Sequence, residues 1–296
     1  MQYSISDLEQ LSGISVHNIR IWERRYNALQ PSRSVGNTRF YDDNQLKRLL
    51  NIAGLYFSGH KISKACAMSK EETESFLQQE INATISHENQ YEYFISQIIS
   101  QAMGYHEHEI NQLITQSFER NGILNTYKFV MYPLLVRLGL MWRQDSVCPS
   151  QEHFLSSVFR QKLYTVIDNC PPPKQGSQKW LLFLPEDEDH DIGLLLASYM
   201  LRAAGKQVIY LGAKVPVFAL KNAIESTGPE KLLFFMTRVR PFTDAQRYLT
   251  DITDHFPNQQ IYLSGNPKVL GELNFKEEVF WLRGLADFEN ILNSES

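Results

Sequence analysis

Apolar residues recur three and four positions apart through most of the first 167 residues, and this spacing predicts helices. Near the start it predicts two short helices, residues 6–11 and 15–26, with Gly13 breaking the chain between them. Ser6 and Glu9 have the spacing of a capping box at the first helix, and the second helix begins with a serine that can cap it. Two short helices joined by such a turn predict a helix-turn-helix.

A turn-rich segment and two further helices are predicted next. Residues 29–41 contain a proline, a glycine and an asparagine around two arginines, which predicts a wing. A helix over residues 42–57 and a short helix over residues 62–68 follow, with Gly59 between them. Residues 69–90 are polar and acidic, and their composition predicts either a linker or a solvated helix end.

The middle of the chain is predicted to be helical throughout. From residue 90 to residue 167 the apolar positions keep the helical spacing, which favours a helical bundle. Gly104, Gly122 and residues 145–149 mark the turns that separate its helices.

The pattern changes after residues 171–178, whose sequence PPPKQGSQ predicts a linker. Short apolar runs then alternate with segments of helix length. The predicted strands are residues 180–184, 208–211, 232–236, 261–263 and 279–282. The predicted helices are residues 193–204, 217–226, 243–256, a short one near 267, and 286–292. This alternation predicts a parallel sheet with helices on both faces.

Composition narrows the classes of protein that remain. The chain has 296 residues, of which 43% are apolar and 21% charged, so we expect two or three globular domains rather than a disordered or collagen-like protein. The longest apolar stretch, residues 192–201, is too short to span a membrane, and the N-terminus lacks the apolar segment of a signal peptide. Cys66, Cys148 and Cys170 give neither a disulfide framework nor a zinc pattern, so a reducing cytoplasm is expected.

The net charge of −4 hides an asymmetry along the chain. Residues 1–70 carry ten Lys and Arg against five Asp and Glu, a net charge of +5, which leaves −9 for the remainder. A basic head on an acidic body indicates that the head binds a polyanion. Charge by itself leaves open the alternative of a chance fluctuation on a solvated surface.

The N-terminal residues carry a more specific signal than charge. The run DLEQLSGISVHNIRIWERRY, followed by P-x-R-x-x-G-x-x-R-F-Y, resembles the MerR family of DNA-binding regulators from residue 3 to about residue 70. A second helix of this kind enters the major groove, and wing arginines contact phosphates. The candidate DNA contacts are Ser15, His17, Asn18, Arg20, Arg24, Arg33, Arg39 and Tyr41. The residues expected in the core are Ile14, Ile19, Trp22 and Leu29.

Two further motifs lie in the body of the chain. The run PLLVRLGLMW, residues 133–142, is followed after nine residues by E-H, and an E-x-H-x-x-G motif occupies residues 188–193, just after a predicted strand. With the head, and in this order, they resemble the cobalamin-binding, light-responsive branch of MerR-type repressors, the CarH/LitR type. Taken alone, the second motif would favour a solvated histidine in an acidic loop.

That resemblance implies a multidomain α and α/β fold. The expected parts are a MerR-type winged helix-turn-helix domain at residues 1–75, a four-helix bundle that caps the cobalamin at residues 76–172, and a Rossmann-like, flavodoxin-like parallel-sheet cobalamin-binding domain at residues 178–296. The residues implied in binding adenosylcobalamin are Trp142, Glu152, His153, Glu188, His190, Gly193, Thr237, Val239 and Gly265.

His190 is the residue expected to bind cobalt. A histidine in a strand-to-helix loop lies at the carboxyl edge of a parallel sheet, where ligands bind in such folds. A carboxylate bonded to the other ring nitrogen would set the tautomer, and either Glu188 or Asp191 can supply it. The family pattern favours Glu188.

Two sites depart from the family pattern. The third strand is followed by Thr237, Arg238 and Val239, where such domains usually carry S-x-L, and after the fourth strand Gly265 stands where two glycines are usual. Arg238 and Arg240 add two cations in this area, either as contacts to the phosphate of the cobalamin tail or as surface residues.

The resemblance leads to two competing functions. The first is a DNA-binding repressor, bacterial and cytoplasmic at the nucleoid, that binds operator DNA as a dimer or tetramer and whose oligomerisation is controlled by adenosylcobalamin and light. The second is a MerR-type regulator with a degenerate cobalamin domain, which responds to a protein partner or another signal. A cobalamin enzyme is disfavoured, because a basic helix-turn-helix head serves no such chemistry.

Overall fold

The computed structural model describes residues 2–33, 37–57, 60–69, 72, 87–142 and 149–294, and leaves the side chains of residues 87–89, 139–142 and 149 outside that description. The chain divides into two compact units, Met1–Phe159 and Arg160–Ser296. The boundary predicted at residue 75 falls outside the described residues. The division into three domains therefore stays a prediction.

Where the structure describes it, the first unit consists of helices and one two-stranded hairpin. Its elements are α1 (Ile5–Ser12), α2 (Val16–Tyr26), β1 (Ser32–Arg33), β2 (Arg39–Phe40), α3 (Asp43–Phe57), α4 (Ile62–Ala67), α5 (His87–Ala102), α6 (Glu107–Thr126), a π-helix (Tyr127–Met131), α7 (Tyr132–Trp142) and α8 (Pro149–Asp168), which continues into the second unit. Because β1 and β2 pair antiparallel, the predicted wing is a β-hairpin. Gly36 and Gly59 lie outside the described residues.

The capping box predicted at Ser6 and Glu9 is wrong, because the capping residue lies two positions earlier. Ser4 is the capping residue: its Oγ accepts the backbone N–H of Asp7 at 3.2 Å, and Asp7 Oδ2 accepts the backbone N–H of Ser4 at 2.7 Å. Aspartate thus takes the part expected of glutamate. Glu9 instead accepts the backbone N–H of Val16 at 2.9 Å, which ties the start of α2 to α1.

The head and the helices that follow it share one core. The residues predicted to be buried in the head are buried, and α3 carries a run of buried residues from Leu49 to Leu55. Helix α5, which packs along α3, is buried from residue 93 to residue 100. A helix buried all round must have neighbours on every side. At the turn after α1, Gly13 has a φ of +71°, and a Cβ there would lie 2.9 Å from Glu92 Oε2 of α5.

The helical prediction for the middle of the chain is confirmed, with one irregularity. Residues 103–106 form the predicted turn at Gly104, and Gly122, with a φ of +76°, interrupts the helical geometry of α6. The π-helix follows directly. Most of the turn predicted at residues 145–149 lies outside the described residues. No helix in the described part of the chain is long and apolar enough to cross a membrane.

The second unit is a five-stranded parallel sheet with helices between its strands, as predicted. Its elements after α8 are β3 (Lys179–Pro185), α9 (Ile192–Ala203), β4 (Gln207–Val215), α10 (Val217–Thr227), β5 (Lys231–Met236), α11 (Phe242–His255), β6 (Gln260–Gly265), α12 (Pro267–Leu270), β7 (Val279–Trp281) and α13 (Leu285–Ser294). The strand order is β4-β3-β5-β6-β7, and every pair is parallel. Residues 171–178 form the predicted irregular segment before β3.

The core of this sheet positions the loops at its carboxyl edge. β3 is buried from Trp180 to Pro185, and Phe183 stacks on Phe234 of β5 at a centroid distance of 5.2 Å. Since β3 and β5 are neighbours, the loop that follows β3 and the turn that follows β5 emerge side by side.

Candidate DNA interface and ligand site

Helix α2 presents one polar face to solvent. His17, Arg20 and Arg24 are exposed, whereas Ile19 and Trp22 on the opposite face are buried. This is the division expected of a helix that packs on its own domain and reads a groove with its outer face.

Ser15 is the N-terminal capping residue of α2. Its Oγ accepts the backbone N–H of Asn18 at 3.3 Å, so the serine caps the helix as predicted. The side chain of Ser15 is exposed and that of Asn18 half-buried.

A groove between α2 and the wing collects the predicted cations. Arg20, Arg24, Arg33 and Arg39 all line it, and Glu23 is the one carboxylate among the lining residues that the structure describes. Arg39 Nε lies 3.5 Å from Glu23 Oε2, so part of the charge of that arginine is offset. The remaining positive charge suits a phosphate backbone.

Tyr41 is a correction to the predicted set of DNA contacts. Its side chain is fully buried, and its hydroxyl donates to Glu23 Oε1 at 2.5 Å. The backbone of Tyr41 pairs with that of Tyr3 on both sides, at 2.8 and 2.9 Å. Tyr41 therefore ties the wing to α2 from beneath and has no surface to offer DNA.

The second site centres on His190, in the loop between β3 and α9. The Nδ1 atom of its ring hydrogen-bonds Oε1 of Glu188, and because an ionised carboxylate can only accept, Nδ1 carries the proton. The ring is 57% exposed, while the Glu188 side chain is 0% exposed. Of the two acceptors that the sequence left open, Glu188 is therefore the one used. Asp191 instead accepts Arg160 Nε at 2.6 Å.

Glu188 also holds the turn that follows β5. Its Oε1 accepts the backbone N–H groups of the next two residues at 3.2 and 3.3 Å. Its Oε2 accepts the backbone N–H groups of Thr237 and Arg238 at 2.8 and 2.7 Å, and the Arg240 guanidinium at 3.2 Å. One carboxylate thus joins two loops at the carboxyl edge of the sheet.

These donors decide the charge of Glu188. Burial favours the neutral acid, but the hydrogen bond from His190 and those from the backbone of Arg238 and Thr237 outweigh it and lower the pKa of Glu188 to about 2. Glu188, Asp189 and His190 lie close enough together to resemble a metal cluster. Because every lone pair of Glu188 is engaged, the ring of His190 and the exposed Asp189 are the groups of this cluster suited to a metal.

The other predicted ligand residues occupy the same edge with varied exposure. Thr237, Gly193 and Gly265 are half-buried, and Val239 is 67% exposed. Gly265 has a φ of +141°, and a Cβ there would lie 2.1 Å from the carbonyl oxygen of Met236. The glycine is therefore required by the neighbouring strand β5, and the close approach that it permits is between two backbones.

Trp142, Glu152 and His153 belong to the first unit. Trp142 is the last residue of α7, and its side chain lies outside the described part of the chain. Glu152 lies in the first turn of α8, where its carboxylate accepts the Ser156 hydroxyl at 2.6 Å and lies 3.2 Å from His153 Nδ1. The His153 side chain is 79% exposed.

Known proteins resemble this chain most specifically in the head. Residues 3–71 match the family model described as MerR HTH family regulatory protein. The chain is 27% identical to the HTH-type transcriptional repressor CarH of Myxococcus xanthus over 258 residues, which cover 86% of this chain and 85% of that protein. The chain therefore carries a MerR-type helix-turn-helix region at residues 3–71, and its similarity to a transcriptional repressor supports a DNA-binding transcriptional regulator. This agrees with the prediction of a regulator rather than an enzyme.

Two further comparisons extend beyond the head. The chain is 26% identical to the HTH-type transcriptional repressor CarA of Myxococcus xanthus, over 81% of this chain and 78% of that protein. The solved structure of the Methanosarcina barkeri monomethylamine corrinoid protein superposes with a TM-score of 0.54 at 14% identity, over 67% of this chain and 96% of that chain. At that identity the likeness shows the fold.

Sequence reasoning missed the part that Arg240 plays in this regulator. The surface interpretation is wrong, because the side chain is 7% exposed and pairs with Asp187 and Glu188 at 3.1 and 3.2 Å, whereas the phosphate contact stays a prediction. Its partners lie 53 and 52 positions earlier. Only knowledge that the two loops are neighbours would have revealed the pair.

Proposed function

We propose that this regulator is a repressor whose oligomerisation and DNA binding are controlled by adenosylcobalamin and by light. The observation that carries the ligand half of the proposal is the His190–Glu188 pair at the carboxyl edge of a parallel sheet. Support comes from the similarity of the chain to two repressors and from a corrinoid protein of similar fold.

The DNA half of the proposal rests on α2 and the wing. His17, Arg20 and Arg24 on the exposed face of α2 would meet base edges and phosphates in a major groove, and Arg33 and Arg39 would meet the flanking phosphates. One head of this size makes too few base contacts for useful specificity, so two heads would bind a symmetric operator, in a dimer or a tetramer.

The ligand site fits a corrinoid on three observations. His190 keeps the proton on Nδ1, which leaves Nε2 as the ring nitrogen with the right protonation to bind cobalt. Large exposed apolar side chains, Phe218, Val239 and Phe242, follow two strands at the same edge and suit a flat apolar ring. Tyr248 presents a buried hydroxyl, and Arg240 a buried Nε, for which the structure describes no hydrogen-bond partner.

Within this proposal each predicted residue has a part. Bound adenosylcobalamin would supply a cobalt–carbon bond that light breaks. His190 would hold the cobalt, and Glu188 would keep the ring in one tautomer and orientation. The candidate contacts to the rest of the ligand are Gly193, Thr237, Val239 and Gly265 on the sheet unit, and Trp142, Glu152 and His153 on the helical unit.

Cobalamin retention after gel filtration tests the ligand half. Wild-type protein incubated with adenosylcobalamin in the dark is expected to retain the ligand with the spectrum of histidine-bound cobalt. His190→Ala is expected to lose that spectrum and most of the retention. His255→Ala is the matched control, since His255 is exposed and its ring hydrogen-bonds the Asp251 carbonyl of its own helix. Wild-type protein that retains no cobalamin would support the degenerate-domain alternative.

Illumination tests the regulatory half. We expect green or white light to convert the dark oligomer that contains adenosylcobalamin into a smaller one and to release operator DNA. Gel filtration and electrophoretic shifts, each in the dark and after illumination, measure the two effects, and methylcobalamin is the control for the upper ligand. An oligomer that ignores both light and the upper ligand would exclude the photoreceptor while leaving DNA binding intact.

A further inference from the structure

Two loops at the carboxyl edge of the sheet meet at one carboxylate. The loop after β3 bonds Oε1 of Glu188 through its backbone and through the His190 ring. The turn after β5 bonds Oε2 through the backbone N–H groups of Thr237 and Arg238. Each oxygen serves one loop, so the carboxylate fixes the distance between them.

Arg240 supplies the only guanidinium that contacts Glu188 among the described residues. Its two terminal nitrogens lie 3.1 Å from Asp187 Oδ1 and 3.2 Å from Glu188 Oε2, so one side chain from the β5 turn spans two consecutive carboxylates of the β3 loop. Both Arg240 and Glu188 are buried. A buried charge that loses its partner is costly, whereas the intact pair is held by geometry and hydrogen bonds.

Arg238 is a cation in the same turn with a different connection. Its backbone N–H bonds Glu188, but within the described part of the chain its guanidinium bonds only the carbonyl oxygen of Asp187, at 3.3 Å, and the side chain is exposed. Removing the side chain of Arg238 therefore leaves the link through Glu188 in place. The two arginines make a natural pair of test and control.

We propose that Arg240 is a positioning residue, which clamps the turn bearing Thr237 and Val239 against the loop bearing His190. In consequence, the orientation of the histidine and the position of the turn are set together by one buried ion pair. The inference rests on the proposed function only for the identity of the ligand, because the clamp is a property of the chain without ligand.

Hydrogen exchange of the ligand-free protein tests the clamp directly. Arg240→Met is expected to raise the exchange rates of the backbone N–H groups of Asp189, His190, Thr237 and Arg238 by about tenfold or more, because all four donate to Glu188. Arg238→Met is expected to leave them near the wild-type rates. Arg240→Lys keeps the charge but has fewer donors, so its exchange rates are expected to lie between those of wild type and Arg240→Met. If Arg240→Met does not fold, Arg240→Lys is the variant that tests the clamp.

The spectrum of bound adenosylcobalamin provides a readout that general destabilisation would not change. At saturating ligand, Arg240→Met is expected to show a smaller fraction of histidine-bound cobalt than wild type, with partial recovery in Arg240→Lys and none of the loss in Arg238→Met. Wild-type exchange rates in both loops of Arg240→Met would overturn the proposal, as would an equal effect from Arg238→Met. If wild type binds no cobalamin, the proposed function fails, and the exchange rates alone decide on the clamp.

Discussion

The two units of the molecule build their functional surfaces in opposite ways. In the head, four arginines line an open groove against a single carboxylate, Glu23, so positive charge is left over for a ligand. In the sheet unit, Glu188 is hidden and every acceptor position is taken by the protein itself. Exposed charges of the first kind matter for binding and little for stability, because water screens them. Buried charges of the second kind matter for stability before any ligand arrives.

Acid is expected to have the largest effect, because it protonates the buried carboxylate of Glu188 and leaves the exposed arginines of the head charged. The pKa of Glu188 is lowered from 4.5 to about 2, so its ionised form stabilises the fold above about pH 4.5, and that stability is lost as the pH falls towards 2. We expect the free energy of unfolding of the sheet unit to fall by about 3 kcal/mol across this window, since one pKa unit corresponds to about 1.4 kcal/mol. Urea unfolding at each pH, followed by exchange in peptides of β3 and β5, measures it.

Two variants control the acid experiment. Glu188→Gln is expected to be less stable at pH 7 and to have lost most of the slope between pH 4.5 and 2. Asp254→Asn removes an exposed partner of Lys276, at 2.6 Å, and is expected to keep the slope, because water screens exposed ion pairs. A slope that survives in Glu188→Gln would assign the acid sensitivity to other groups.

Substitutions of exposed arginines in the head are expected to weaken DNA binding while hardly changing the free energy of unfolding. Arg20→Ala should cost about 1–3 kcal/mol of specific binding to operator DNA while changing the free energy of unfolding by no more than about 0.5 kcal/mol. Arg39→Ala should weaken binding to all sequences and lower the slope of log affinity against log salt by about one. Equilibrium shifts with operator and scrambled DNA at several salt concentrations measure both. Wild-type operator affinity in both variants would refute the assignment of this surface.

Local pattern predicted most of the fold because hydrophobic periodicity records which face of an element is buried. The strands β3 and β5 are short apolar runs, and the buried positions Ile19 and Trp22 of α2 follow from helical spacing. The same spacing placed Arg20 and Arg24 on the outer face. Each of these predictions depends on residues within one or two turns of each other.

The wrong predictions concern residues whose partners are far away in the sequence, or a site where two nearby residues could each play the same role. Arg240 looked like a surface residue because its carboxylates lie more than fifty positions away. The cap at Ser4 was missed because two serines compete two positions apart, and Asp7 decides between them. Tyr41 sits in an exposed wing by pattern, yet its ring turns inward to a carboxylate on α2. Tertiary contacts override the local signal at Arg240 and Tyr41, whereas at Ser4 one local signal overrides another.

The smallest expected effect concerns Tyr41, whose buried hydroxyl bonds Glu23 beneath the exposed surface of the head. Tyr41→Phe keeps the ring but removes the hydroxyl that donates to Glu23, so we expect a loss of about 1 kcal/mol in the free energy of unfolding of the first unit. Glu23 would then rely on Arg39, at 3.5 Å, which draws that arginine away from phosphate. Binding to operator and scrambled DNA should therefore weaken equally, by about twofold. Denaturation and DNA titration on the same samples measure both. A selective loss of operator binding, with unchanged stability, would return Tyr41 to the DNA-contacting set.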